Sequence, residues 1–224
     1  FPQVTLVANA DNVGFGAANN QALALTDAPV LVLLNPDTVV LKDALHGMVE
    51  RLLREPDLAI LGCRLLNGDG SLQRWTGGAF PNLRNVAAHY LFLDRLLPVR
   101  LRPAPLYLNH DIAHPIDVDW VSGACMAIRR EALKEALFDR RFFMYAEDME
   151  LCQRMAKTGW RVSYDPNYSI VHYQGASIQQ QSTGIMLSSL KGPRYFFMLQ
   201  HGAFQATLLD LLTVSGFFIR YAAY

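Results

Sequence analysis

Three places in this chain carry side chains able to do chemistry, each at the end of an apolar or aromatic run. Asp37 follows Leu33-Leu34-Asn35-Pro36, and residues 30–34 are all branched and apolar, as in a strand buried on both faces of a parallel sheet. Ligands of open α/β sheets bind just outside the carboxyl ends of the strands, so a lone acid there is placed to hold a divalent cation against a phosphate. Asn-Pro-Asp-Thr equally favours a turn or a helix N-cap. The second place is Tyr145-Ala146-Glu147-Asp148-Met149-Glu150, an acidic pair at a helix start. The helix macrodipole favours negative charge there, which by itself accounts for such a pair. Phe142, Phe143, Met144 and Tyr145 just before it offer an apolar wall, and desolvation by such a wall raises a carboxyl pKa toward the range of a general base. Arg154 is the i, i+4 partner of Glu150. The third is His172, after Ser169-Ile170-Val171 and before Gly175. A lone His is commonly structural. With Asp37 it would complete a cation site in which one Asp, one His and two diphosphate oxygens leave positions for water, as suits Mg²⁺ or Mn²⁺.

The elements that must position these groups can be read from periodicity. Residues 4–8 read as a strand, 14–25 as a helix with small residues for close packing, and 30–34 as the next strand, a β-α-β unit with parallel strands. An amphipathic helix is expected over residues 43–54, ended by Pro56, then a strand over 58–66 and a turn at Asn67-Gly68-Asp69-Gly70. Residues 75–118, broken by five prolines, read as a mobile insertion over the carboxyl face of the sheet, with one helix near 83–97. A strand over 118–128 has Ser122, Gly123 and Ala124 at its centre, which implies close approach of another group to the backbone. Helices at 131–137 and 147–157 and short strands at 160–164 and 169–172 complete the pattern.

Composition narrows the class. The 224 residues are 51% hydrophobic, and 20 basic residues balance 20 acidic ones. This gives one sizeable core and no global field of the kind that attracts nucleic acid. Three scattered cysteines argue against a disulfide framework and imply buried thiols in a reducing compartment. No secretory signal is visible, and a cytoplasmic location is expected. Near the C-terminus only nine residues between Asp210 and Arg220 are uncharged, too few for a spanning helix of roughly twenty.

Five motifs follow one another along the chain: Asn12-Val13-Gly14-Phe15-Gly16-Ala17-Ala18-Asn19-Asn20, Leu34-Asn35-Pro36-Asp37, Trp120-Val121-Ser122-Gly123-Ala124, Glu147-Asp148 and His172-Tyr173-Gln174-Gly175. Their order resembles the family 2 glycosyltransferases of GT-A fold, and among them the rhamnosyltransferase-type enzymes of bacterial polysaccharide assembly. The resemblance implies an α/β chain with a mixed, mainly parallel sheet flanked by helices, a catalytic domain over residues 1–184 and a helical extension over 185–224. It also implies inverting transfer from a nucleotide diphosphate sugar to a glycan or lipid-linked acceptor. Asp148 matches the catalytic base and Glu147 its neighbour, while Asp37 and His172 match the ligands of Mg²⁺ or Mn²⁺. Asn35 stands where a first acid is usual. Asn12, Gly14, Asn19, Asn35 and Asp37 match the donor side, and Trp120 and Gly123 the wall of the acceptor pocket.

Against that pattern the chain starts at the family's third strand, so a β-α-β unit of roughly thirty residues is expected to be missing. An exposed sheet edge would then allow homo-oligomers. Aromatic and basic residues in the tail allow peripheral contact with the inner face of a cell membrane. A non-catalytic nucleotide-binding domain derived from this fold is the alternative reading.

Overall fold

The computed structural model describes residues 2–108, 111–134, 136–173 and 183–222. In chain order these form α1 (Phe15–Leu23), β1 (Val30–Leu34), β2 (Thr38–Val40), α2 (Ala44–Arg54), β3 (Leu58–Leu66), β4 (Gly77–Gly78), α3 (Leu83–Tyr90) and α4 (Leu93–Leu96). There follow β5 (Ile116–Asp117), β6 (Trp120–Val121), β7 (Cys125–Arg129), α5 (Glu147–Lys157), β8 (Arg161–His172) and α6 (Thr183–Ala222). The main sheet has the order β1-β7-β3-β8-β2, with β5 on β8, and β4 and β6 form a separate two-stranded ladder.

The sheet separates two apolar layers. On one side Met48 and Leu52 of α2 pack with Leu58, Leu61 and Cys125; on the other Ile60, Met126 and Ile128 pack with Phe138, Leu151, Met155 and Phe196. Alternate residues of β7 thus face opposite layers, as the period of two requires, whereas in β3 the register shift between Leu58 and Ile60 puts Ala59 and Ile60 in the same layer. Because both faces are covered, the continuous apolar run of β3 is fully buried from Leu58 to Leu61. All three cysteines are free and buried.

The α/β class and the positions of α1, β1, α2, β3 and α5 agree with the sequence reading. The strand directions do not. Residues 4–8 pair with no strand among the described residues, and Val4 and Leu6 are exposed. The expected β-α-β crossover is therefore absent, and β1 pairs antiparallel with β7. Only β3–β8 is parallel; β2–β8, β3–β7 and β5–β8 are antiparallel. The mixed sheet is thus mainly antiparallel, because periodicity marks a strand without naming its partner or direction.

Other elements differ in detail. The strand expected over 118–128 is two strands in different sheets, separated by the turn at Ser122-Gly123-Ala124. The helix expected at 131–137 is one 3₁₀ turn, Arg130–Ala132. The two strands expected at 160–164 and 169–172 are one strand, β8, whose register with β3 breaks around Pro166. The insertion at 75–118 contributes to the packed structure: Leu106 and Leu108 are buried and α3 lies against α6.

Helix α6 is broken at Gly202, whose φ is 82°. Arg194 and Asp210, 16 positions apart, meet at 2.8 Å. Along a straight helix they would lie about 24 Å apart, so the second half folds back beside the first. By length and composition alone Lys191–Ile219 is long and apolar enough to cross a membrane, its qualifying 18-residue window having a mean hydropathy of 1.4, although the break at Gly202 divides it. This differs from the expectation drawn from the nine uncharged residues, because the charged positions within the helix are few.

Candidate active site

Asp37 and His172, far apart in sequence, are joined by one strand pairing. β2 and β8 run antiparallel with Thr38 opposite His172, and the Tyr173 N–H donates to the Asp37 carbonyl at 2.8 Å. This brings His172 Nε2 to 3.2 Å from Asp37 Oδ1, with both side chains largely buried. Asn35 Nδ2 lies 3.4 Å from the same ring nitrogen. Thr38 Oγ1 donates to the Asn35 carbonyl at 2.6 Å, closing a turn at Pro36-Asp37. The turn and the ligand readings of Asn-Pro-Asp-Thr are therefore compatible. Among the described residues no group of three or more His, Cys, Asp or Glu is arranged to hold a metal ion. One carboxylate and one imidazole suit a hydrated Mg²⁺ or Mn²⁺ whose other positions are filled by diphosphate oxygens and water.

The acidic pair opens α5 from a constrained turn. Tyr145 and Ala146 have φ of 70° and 68°, a region that side-chain-bearing residues adopt only when their surroundings enforce it. Part of that enforcement comes from α6, where Gly192 lies against the Met144 and Tyr145 carbonyls with no room for a Cβ. Tyr195 adds a ring contact with Phe142 at 5.3 Å. Asp148 Oδ2 accepts from the Gly123 N–H at 3.1 Å, and Oδ1 accepts from the Met149 N–H at 2.8 Å. Burial raises the Asp148 pKa, opposed by those two N–H groups, which stabilise the anion. Glu147 is 6% exposed and its Oε2 has no partner. Burial, then the Asp148 charge, pushes Glu147 up to about 8, so it holds its proton at neutral pH.

The turn between β6 and β7 ties the two groups together. Its Gly123 N–H holds Asp148, and its next carbonyl, that of Ala124, accepts from Asn35 N at 2.9 Å. Ser122 N donates to the Thr76 carbonyl at 2.9 Å. A Cβ at Gly123 would stand 3.3 Å from the Phe15 ring and 3.8 Å from Asp148 Cβ. The small residues noted in the sequence thus permit this close approach.

The family model described as "Glycosyltransferase like family 2" matches residues 1–183. The chain belongs to this family. It is a glycosyltransferase of mixed α/β architecture. The N-acetylglucosaminyl-diphospho-decaprenol L-rhamnosyltransferase of Mycobacterium tuberculosis (strain ATCC 25618 / H37Rv) is 25% identical over 215 residues, covering 90% of this chain and 69% of that protein. Rhamnosyltransferase WbbL of Escherichia coli (strain K12) is 27% identical over 168 residues, 71% of this chain and 61% of that protein. Among solved structures, GalNAc-T7 with UDP, GalNAc and Mn²⁺ superposes with a TM-score of 0.49 at 15% identity. The match covers 82% of this chain and 35% of that one.

The remaining candidate residues of the glycosyltransferase are placed as follows. Asn12 Oδ1 accepts from Gly14 N at 3.0 Å, and Gly14, at φ 85°, lies so close to Phe143 that a Cβ would meet its carbonyl oxygen at 2.5 Å. Phe15 N donates to that same carbonyl at 3.1 Å, so the start of α1 is docked on the loop leading to Asp148. The Asn19 side chain donates to the Phe15 carbonyl of its own helix at 2.9 Å. Its neighbour Asn20 bonds the Phe138 carbonyl and N–H at 2.8 and 2.9 Å. No periodicity or spacing marked Asn20 out. Trp120 is 3% exposed and packs edge-on against Tyr107; its side chain belongs to the core. Gln174 and Gly175 of the last motif lie outside the described residues.

Proposed function

We propose that this glycosyltransferase moves a sugar, rhamnose being the choice its relatives favour, from a nucleotide diphosphate to a glycan or lipid-linked acceptor with inversion. The observation that carries this reading is the β6–β7 turn, which holds Asp148 through Gly123 and the Asn35–Asp37 turn through Ala124. Asp148 acts as the base. It takes the proton of an acceptor hydroxyl while that oxygen bonds to the anomeric carbon and the bond to the diphosphate oxygen breaks. A raised pKa suits this, because the base must retain the proton it takes. Glu147, protonated beside it, leaves Asp148 as the anionic member of the pair.

Asp37 and His172 are the residues that would hold Mg²⁺ or Mn²⁺. Bound there, the cation would neutralise charge developing on the leaving diphosphate. The apolar stripe of α6 formed by Phe204, Leu211, Val214, Phe218 and Tyr221, all exposed, would rest on the membrane surface that carries a lipid-linked acceptor.

The test is sugar transfer by Asp148→Asn, together with thermal unfolding in Mn²⁺ plus UDP, dTDP or GDP. Loss of a positioned base lowers the rate by about 10²- to 10⁴-fold, whereas nucleotide binding should persist in the variant. Retained transfer would remove Asp148 from the mechanism. Metal-dependent stabilisation by one nucleotide, abolished by Asp37→Ala, would identify the donor.

A further inference from the structure

Gln73 is 2% exposed, and the direction of its side-chain hydrogen bonds is set by two groups that can only accept, the Asp69 carboxylate and the His172 carbonyl. Asp69 Oδ1, in the turn after β3, accepts from Ser71 N at 2.9 Å and from Ser71 Oγ at 2.6 Å. With its proton committed to that acceptor, the Ser71 oxygen can only accept from Asn67 Nδ2, at 2.9 Å. The Asn67 amide is thereby oriented with Oδ1 toward Gln73 Nε2 at 3.2 Å, and Gln73 Nε2 also donates to the His172 carbonyl at 3.1 Å. The other end of the Gln73 amide, Oε1, then faces His172 Nδ1 at 2.8 Å and can only accept.

His172 must therefore carry its proton on Nδ1. Whenever the ring carries a single proton, the Nε2 lone pair faces Asp37 Oδ1, 3.2 Å away, with the Asn35 amide group at 3.4 Å. Two electron-pair donors facing one another at this distance repel unless a positive charge lies between them. The opposite tautomer would require the Gln73 amide to turn over, giving up both of its Nε2 hydrogen bonds and setting buried oxygen against oxygen, an arrangement that buried sites strongly disfavour.

We propose that Gln73, oriented by the His172 carbonyl and the Asp69–Ser71–Asn67 chain, is a positioning residue that keeps the His172 proton on Nδ1 and presents Nε2 beside Asp37 as a ready ligand. Partners of this kind fix the tautomer and ring orientation of metal-binding histidines. Its use in binding a cation rests on the donor-site reading above; the tautomer does not.

The experiment is long-range ¹H–¹⁵N NMR of the histidine rings, with the His172 signals assigned by their loss in His172→Gln. Mn²⁺ affinity is measured in parallel by electron paramagnetic resonance in the presence of dTDP, UDP or GDP. The unsubstituted protein should show the proton on Nδ1. Gln73→Met, of similar volume but without an acceptor, should move the proton to Nε2 and weaken Mn²⁺ binding about 10- to 100-fold. Gln73→Glu should restore the Nδ1 proton, an outcome that a purely space-filling role for residue 73 would not produce. Asp69→Ala, in the exposed turn, should leave the proton on Nδ1, because the His172 carbonyl still accepts from Gln73 Nε2 and holds the amide in the same orientation. A proton on Nε2 in the unsubstituted protein, or an unchanged tautomer in Gln73→Met, would overturn the proposal. Absence of Mn²⁺ binding by the unsubstituted protein with all three nucleotides would instead overturn the donor-site reading, and the tautomer comparison would still decide the role of Gln73.

Discussion

Glu147→Gln should make the protein more resistant to unfolding at alkaline pH. In the folded chain Glu147 is 6% exposed with an unpartnered Oε2, and its pKa is pushed from the usual 4.5 to about 8. Below 4.5 both folded and unfolded chains bind the proton, and the group contributes no pH dependence. Between 4.5 and about 8 the unfolded chain has released it while the folded chain retains it, so stability falls as pH rises. Above that range both states are ionised and the loss is complete. At about 1.36 kcal/mol per pH unit, the range between 4.5 and about 8 sets an upper limit of about 5 kcal/mol. Because Asp148 shares the effect, a loss of about 2–5 kcal/mol, or about 5–15 °C in Tm for a chain of this size, is expected. Gln keeps the shape and removes the titration. Urea or thermal unfolding across this pH range should show a falling profile for the unsubstituted protein and a flatter one for Glu147→Gln, the two diverging toward high pH. Asp148→Asn should move the fall to lower pH without abolishing it, because burial is the larger cause. Parallel profiles for the unsubstituted protein and Glu147→Gln would refute the reasoning.

Gly14→Ala places a Cβ at a left-handed φ and 2.5 Å from the Phe143 carbonyl, so a destabilisation of about 2–4 kcal/mol is expected by denaturant titration. Nucleotide binding by the variant should fall as well, because the start of α1 is displaced. Arg51→Leu strips the buried Asp165 of its ion partner at 2.7 Å and should lower stability by about 3–5 kcal/mol. Replacing the more exposed Arg161 by Gln should have the smaller effect, despite its three carboxylate partners, because solvent screens such pairs. Phe204→Ser with Phe218→Ser should abolish sedimentation with anionic liposomes while leaving the melting temperature nearly unchanged. Equal sedimentation of the variant would show that the exposed α6 stripe is not the lipid contact.

Residue order alone determined the helices and strands whose burial pattern is local. β3 was legible because a nine-residue segment whose only charged member is Arg64 has few alternatives, and α2 and α5 because their apolar positions repeat at helical spacing and Pro56 and Gly159 end them. The candidate residues of the site could be nominated from sequence too, since an isolated Asp after an apolar strand and an acidic pair after an aromatic cluster are local patterns. Which strands pair, and in which direction, was decided by tertiary structure. Residues 4–8 have strand periodicity but no neighbour among the described residues, and β1 takes an antiparallel partner nearly a hundred residues later. The same pairing energetics bring His172 beside Asp37, a contact across 135 positions that no local propensity encodes. The burial of Trp120 against Tyr107 was likewise decided by packing, since its motif carries no sign of which neighbour would cover the ring. Gln73 was invisible because a single Gln has no periodic or compositional signature. Its significance comes only from the direction of the hydrogen bonds around it, which exists once Asp69, Asn67 and His172 have been folded together.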